Sequence, residues 1–173
     1  MPKIPQKLIK FLDDNKIKYE IVQHKTVFTA YDKAATLKVK PSLIGKTLVL
    51  KTDKELAVAL LAGNKNLDKN QFKKVLNVWT RRRQGFGGQR KKTVKSIEFV
   101  SERVMKNKFK GIKIGALPPF GNLWKLPTFI DRGLIKEKNI FVNTGIYENS
   151  FKISPKIFEK LNYIKGVFSK AKK

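Results

Sequence analysis

Two apolar runs, 47–50 and 56–61, stand either side of the turn pair Asp53-Lys54 and set the frame of this chain. The first reads as a buried strand. The second is apolar at nearly every position and returns as its neighbour, closing a hairpin. Around this hairpin the pattern changes period. Ile4, Leu8, Phe11 and Leu12 recur at helical spacing and predict an amphipathic helix over 5–15. Tyr19 and Ile21 lead a strand that ends at Gln23. Thr29 is placed to cap a helix over 30–37, where Ala34 and Ala35 permit close packing, and Pro41 breaks the chain. Asp68 caps a further helix over 69–76. Ser101 caps another after a short strand over 96–100, with Glu102 in its favourable first turn. Strands are predicted over 126–130, 139–142 and 147–153. Ser154-Pro155 then opens a last helix whose core face is Ile157, Leu161 and Ile164, and the tail over 167–173 is expected to fray. Strands and helices alternate without a strict βαβ repeat. The expected fold is therefore a mixed α/β (α+β) single domain over 1–173.

Composition bounds the function. The chain has 173 residues, of which 41% are hydrophobic, and 12 Phe, enough for a packed core. It has no Cys, which excludes disulfides, thiolate metal sites and a Cys nucleophile. Its single histidine is His24, so neither a zinc site nor any cofactor is expected. No apolar run approaches the ~18–20 residues of a membrane span. Met1-Pro2-Lys3-Ile4-Pro5 does not read as a signal peptide, and a cytoplasmic location is expected. Against this ordinary background, 39 Lys+Arg and 13 Asp+Glu leave a net charge of +26, the footprint of a polyanionic partner. Nucleic acid is the expected one. The segment 81–92 concentrates that charge in Arg81, Arg82, Arg83, Arg90, Lys91 and Lys92, with glycines and a single aromatic, Phe86, between them. It reads as a flexible basic insertion over about 79–93. Such a loop suits phosphate contact and loose stacking with RNA, or is an insertion without a role.

Chemistry concentrates in two segments. Gly115-Ala116-Leu117-Pro118-Pro119-Phe120-Gly121 is a stiff loop. Proline fixes its own φ and donates no amide, while glycine permits positive φ and close approach to a ligand. Free N–H groups held in such a loop suit a carbonyl or an anion. The second segment is 44–51, where Lys46 enters an apolar strand, either as a ligand contact or as a snorkelling edge residue. Gly45-Lys46-Thr47 is not a nucleotide-binding P-loop. Lys40 stands where that motif needs its first glycine, and the segment precedes a strand instead of following one.

The order of segments resembles the YbaK/ProX family of free-standing aminoacyl-tRNA deacylases, related to the editing domain of bacterial prolyl-tRNA synthetases. The matching stretches are 17–24, 29–37, 44–50, 56–61 with Ala62-Gly63-Asn64, 97–100, 115–121, Phe129-Ile130-Asp131, and Val142-Asn143-Thr144-Gly145 leading to Ile153-Ser154-Pro155. The most specific are Lys46-Thr47-Leu48-Val49 and the Gly-x-x-x-Pro loop from Gly115 to Pro119. The resemblance implies a curved mixed sheet around a pocket, with helices outside. It implies hydrolysis of the ester that joins a wrongly attached amino acid, alanine or cysteine on the tRNA for proline, to the tRNA 3′ end. Misacylated tRNA would be the partner, with a prolyl-tRNA synthetase as a possible second. Lys46 would contact the charged 3′ end. Backbone N–H groups of Gly115, Ala116, Leu117, Pro118 and Pro119, so far as each has one, would hold the acyl group. Asp131 and Gly145 would line the pocket, with Tyr19, His24 and Thr29 at its rim. An aminoacyl ester is already activated, so a positioned water and a stabilised oxyanion suffice, the ribose 2′-OH serving to orient the water. His24 as general base is the competing route, and no Gly-x-Ser-x-Gly elbow is present. Two other classes remain open. One is a non-catalytic RNA-binding module of the same fold. The other is a ribosome- or DNA-associated protein, for which a basic recognition helix or arm is not evident.

Overall fold

The computed structural model describes residues 3–84 and 93–172. Helix α1 (Gln6–Asp14) leads into strand β1 (Glu20–Gln23) and helix α2 (Ala30–Leu37). The hairpin follows as β2 (Gly45–Thr52) and β3 (Leu56–Ala62), then β4 (Lys65–Leu67) and α3 (Lys69–Gln84). Next come β5 (Ile97–Phe99), α4 (Glu102–Lys108), β6 (Thr128–Asp131), α5 (Arg132–Ile135), β7 (Ile140–Asn143) and β8 (Asn149–Ile153). The chain closes with α6 (Lys156–Lys160), β9 (Ile164–Gly166) and β10 (Ser169–Ala171).

The main sheet has the order β5-β2-β3-β6-β9. β2 pairs antiparallel with β3 and β5, whereas β6 runs parallel to both β3 and β9. A second, antiparallel sheet has the order β1-β8-β7. A parallel bridge between Ile44 and Phe141 joins the entrance of β2 to β7. The continuous apolar run of β3 now has its cause. Leu60 and Ala62 pack with Ile130, Phe120 and Phe158 on one face of the sheet, and Ala57, Ala59 and Leu61 pack with Phe72, Phe129 and Phe168 on the other. As a central strand covered on both sides, β3 has no solvent face on which polar residues could alternate. The fold is the mixed α/β arrangement that the sequence predicts.

Local signals hold where side chains cap helices. Thr29 Oγ1 accepts from Asp32 N at 3.0 Å, Asp68 Oδ1 from Gln71 N at 3.0 Å, and Ser101 Oγ from Val104 N at 3.3 Å. Three expectations need correction. The helix expected over 69–76 runs to Gln84, so 79–84 is helical and not part of a loop. Trp79 explains the extension: it packs edge-on against Phe129 at 5.3 Å, and the Arg83 guanidinium sits 4.4 Å from its ring centre. The last helix stops at Lys160. Asn162 takes a φ of 59°, which turns the chain so that Ile164 enters β9 instead of a helix face. The tail is not frayed over 167–172. Phe168 is fully buried, packed edge-on against Phe72, and β10 pairs antiparallel with β4. Of the basic insertion, 85–92 lies outside the described residues. At its far side Val94 N donates to Asn77 Oδ1 at 2.7 Å, which brings the chain back onto α3.

Candidate active site

A cavity of about 350 Å³ opens where α2, the start of β2, the 115–116 corner and the end of β7 converge. Its lining includes Thr29, Lys33, Lys46, Thr47, Gly115, Ala116, Asn143 and Lys172. The local backbone explains the opening. Gly63 N donates to Ile44 O at 2.7 Å, and a Cβ at Gly63 would lie 2.7 Å from Ala30 Cβ, so only glycine lets α2 seat against the strand there. Phe28, Tyr31 and Tyr147 stand at the mouth. Phe28 is 71% exposed and meets Tyr147 edge-on at 4.9 Å, while Lys172 Nζ lies 4.3 Å from the Tyr31 ring centre.

The electrostatics are one-sided. Among the described residues, three lysines and no carboxylate line the cavity. Lys172 is exposed at the mouth, Lys46 is half-buried, and Lys33 is only 8% exposed. Lys46 Nζ donates to Lys65 O at 2.5 Å. Burial, and then the neighbouring charge of Lys172, lowers its pKa. Lys33 Nζ donates to Asn143 Oδ1 at 2.6 Å, and burial alone pulls its pKa from 10.5 down to about 8. Asn143 Nδ2 in turn donates to Leu117 O at 3.2 Å and reaches Gly115 O at 3.5 Å. The Thr47 hydroxyl is buried on the cavity wall without a partner among the described residues. Such a wall favours an anionic or oxygen-rich ligand.

The 115–119 loop is held by its carbonyls. Besides the Asn143 contacts, Ala116 O accepts from Gly145 N at 2.8 Å, and Tyr147 Oη donates to Ile114 O at 2.6 Å. Gly115 has a φ of 83°, a left-handed turn that favours glycine. The Ala116 N–H is taken by Lys113 O at 3.0 Å, whereas Gly115 N–H and Leu117 N–H have no acceptor among the described residues.

The expected residues divide. Lys46, Thr29, Gly115 and Ala116 line the cavity. Leu117, Pro118 and Pro119 do not; they are buried, and Leu117 packs with Val49 and Phe109. Gly145 shapes the loop through its N–H without lining the cavity. Asp131 is turned away from it: Oδ2 accepts from Phe168 N at 2.8 Å and Ser169 N at 3.0 Å, and Oδ1 from Gly133 N at 2.9 Å and Ser169 Oγ at 3.1 Å. A buried carboxylate with four donors is a structural tie. Tyr19 donates to Asp13 Oδ1 at 3.1 Å and packs on Phe151, away from the cavity. His24 is also outside the lining. Its Nδ1 donates to Lys25 O at 2.8 Å, and its Nε2 pairs with the Ser150 hydroxyl at 2.9 Å. That pairing makes His24 a connector of β1 to β8, not a base facing the cavity. Arg81, Arg82 and Arg83 are exposed in the last turn of α3, and Arg90, Lys91 and Lys92 lie outside the described residues.

Sequence reasoning missed Lys33 and Asn143. A signal was present: Ala30, Lys33, Ala34 and Leu37 share one helical face, so Lys33 interrupts the apolar stripe that packs inward. Asn143 ends the apolar strand Ile140-Phe141-Val142 at a buried position.

Residues 88–161, under half of the chain, match the family model of the aminoacyl-tRNA editing domain. A search of curated protein sequences found no match. Among solved structures, a protein described only as hypothetical superposes with a TM-score of 0.79 at 18% identity, covering 95% of this chain and 100% of its own. A scaffold protein used for computational epitope grafting gives 0.76 at 15% identity, covering 96% and 97%. A candidate trans-editing enzyme for prolyl tRNA synthetase gives 0.73 at 18% identity, covering 98% and 100%. The chain thus shares the fold of these solved structures, and its residues 88–161 match the aminoacyl-tRNA editing domain. The resemblance to the YbaK/ProX deacylases read from the sequence stands on both the family match and the superposition.

Proposed function

We propose that this protein is a trans-editing hydrolase that cleaves the ester between an amino acid and the 3′-terminal ribose of a misacylated tRNA in the cytoplasm. The observation that carries the reading is the cavity itself. It is cationic from mouth to floor, free of carboxylates among the described residues, rimmed by aromatic side chains, and bounded by a loop whose carbonyls are pinned by Asn143, Gly145 and Tyr147. Phe28, Tyr31 and Tyr147 offer stacking surfaces for an unpaired terminal base. Lys46 and Lys172 offer positive charge to the adjacent phosphates. Gly115, on the lining, retains an N–H for the acyl carbonyl. Hydrolysis of an activated ester needs little more than this positioning, and one oxyanion donor contributes about 10²–10³ in rate. Alanine and cysteine on the tRNA for proline are the acyl groups that the resemblance implies, with a prolyl-tRNA synthetase as the source of the mischarged substrate.

The test is release of labelled amino acid from alanyl-, cysteinyl- and prolyl-tRNA for proline and from seryl- and threonyl-tRNA, comparing wild type with Lys46→Ala. Turnover of one or two species that disappears in the variant, with overall tRNA affinity nearly unchanged, is the expected result. Tight tRNA binding without turnover of any species would replace the hydrolase with an RNA-binding module of the same fold.

A further inference from the structure

Lys33 is a buried cation with no ion pair among the described residues. Lysine is almost never buried unless its charge is paired. Here its one partner among the described residues is a neutral carboxamide, Asn143 Oδ1 at 2.6 Å. The ionisable groups that share its cavity are Lys46 on β2, Lys172 after β10, Tyr31 on its own helix and Tyr147 after β7, none of them a carboxylate. An ammonium has three N–H donors, and Asn143 takes one. The negative charge that would complete this site therefore arrives with the ligand.

Position says which negative charge. Lys172 and Lys46 lie outward, where the nucleic acid backbone would pass. Lys33 lies deep and is one side chain from the 115–117 segment, because Asn143 bridges Lys33 Nζ to Leu117 O at 3.2 Å. This is the segment assigned to the acyl carbonyl, and in ester hydrolysis that oxygen is where charge develops. We propose that Lys33 is a catalytic residue of this cavity: its ammonium donates to the ester carbonyl oxygen and stabilises the oxyanion, with Asn143 holding the amine against the loop. The inference rests on the deacylase reading. In the step, water oxygen bonds to the carbonyl carbon, and the C=O pair moves to the oxygen facing Lys33. Collapse restores the C=O bond and breaks the bond to the ribose oxygen. The proton given up by water passes to that leaving oxygen, through the 2′-OH or solvent, so the products are the free amino acid and an intact 3′ end. A charge-assisted donor in a partly desolvated site is worth more here than a neutral amide. Below a pKa of about 8 the amine is charged, the form this role requires and a general base cannot use.

The experiment is single-turnover hydrolysis of the same five aminoacyl-tRNAs by wild type, Lys33→Met and Lys33→Gln between pH 6.5 and 9.5, with circular dichroism to verify folding. The expected result at pH 7 is a loss in the maximal rate of about 10²–10³-fold for Lys33→Met, a smaller loss for Lys33→Gln, which keeps a neutral donor, and a half-saturating tRNA concentration changed by less than about threefold. The ratio of wild-type to Lys33→Met rate should fall as pH rises past 8 and the ammonium is lost. A ratio that rises through that range would make Lys33 a base and overturn the proposal. A loss confined to the half-saturating concentration would reassign Lys33 to a tRNA phosphate. Full activity in folded Lys33→Met would remove Lys33 from the reaction while leaving the deacylase intact. A wild type inactive on all five species would overturn the deacylase reading and this inference with it.

Discussion

Replacing Lys33 with methionine should make the protein more stable. Burial moves the Lys33 pKa from 10.5 to about 8, and the folded state carries that cost whenever the amine is charged. At about 1.4 kcal/mol for each pH unit, the cost is on the order of 3 kcal/mol. Methionine fills a similar volume and needs no solvation. It leaves Asn143 Oδ1 without its donor, a loss of roughly 1–2 kcal/mol. The net expectation at pH 7 is stabilisation of about 1–2 kcal/mol, or roughly 2–8 °C in Tm for a chain of this size. The sign with pH follows from proton counting. Between pH 8 and 10.5 the unfolded chain holds a proton on Lys33 that the folded protein has shed, so wild-type stability gains with pH over that window relative to the variant. The advantage of Lys33→Met should therefore be full below pH 8 and should reverse by pH 10.5, where the variant keeps only the cost of the undonated Asn143 oxygen, roughly 1–2 kcal/mol. The other lysines are common to both proteins and cancel in the comparison. Urea unfolding at pH 7 and pH 10 measures it. A Lys33→Met protein less stable than wild type at pH 7, by a margin that does not change at pH 10, would refute the assignment of an uncompensated buried charge. Greater stability with lost turnover is the expected trade where a strained group serves chemistry.

Lys46→Ala should abolish turnover in the amino-acid release assay while tRNA affinity, read by filter binding, changes less than about threefold, since one contact among many carries little of the total. Asp131→Ala should cost roughly 3 kcal/mol or more in urea unfolding, because it orphans the backbone N–H groups of Phe168 and Gly133 and three-way anchoring of the chain end is lost. Changing Arg81, Arg82 and Arg83 together to Gln should weaken tRNA binding and lower the slope of log affinity against log salt, with hydrolysis at saturating tRNA preserved. An unchanged slope would show that the end of α3 does not meet the tRNA.

Where a feature is local, the sequence spelled it out. Thr29, Asp68 and Ser101 announce their helices because a cap needs only a side-chain oxygen and an amide three residues on. The β2–β3 hairpin is equally legible, since its turn and its apolar runs are adjacent. Long-range ties are not. Nothing near Asp131 says that its donors are residues 168 and 169, and nothing near His24 says that Ser150 will occupy its ring nitrogen. The end of the chain reads as polar and free because β10 becomes a strand only by pairing with β4, about a hundred residues earlier. In the candidate site, Lys46 and the 115–116 corner stand out by motif, whereas Lys33 is one lysine in a chain crowded with them. Its place on the inward stripe of α2 is the only mark it carries.

The pairing of β10 with β4 also makes the charge at the cavity mouth depend on a distant part of the fold. The cavity wall draws on α2, β2, the 115–116 corner and β7. Lys172 is brought to the mouth by other ties: Asp131 accepts from Phe168 N and Ser169 N, and β10 pairs with residues 65–67. Two of the three cavity lysines therefore sit on the wall itself, and the third is delivered by a carboxylate that never meets the ligand. Loosening that carboxylate would leave the wall intact and strip the entrance of part of its attraction for a polyanion.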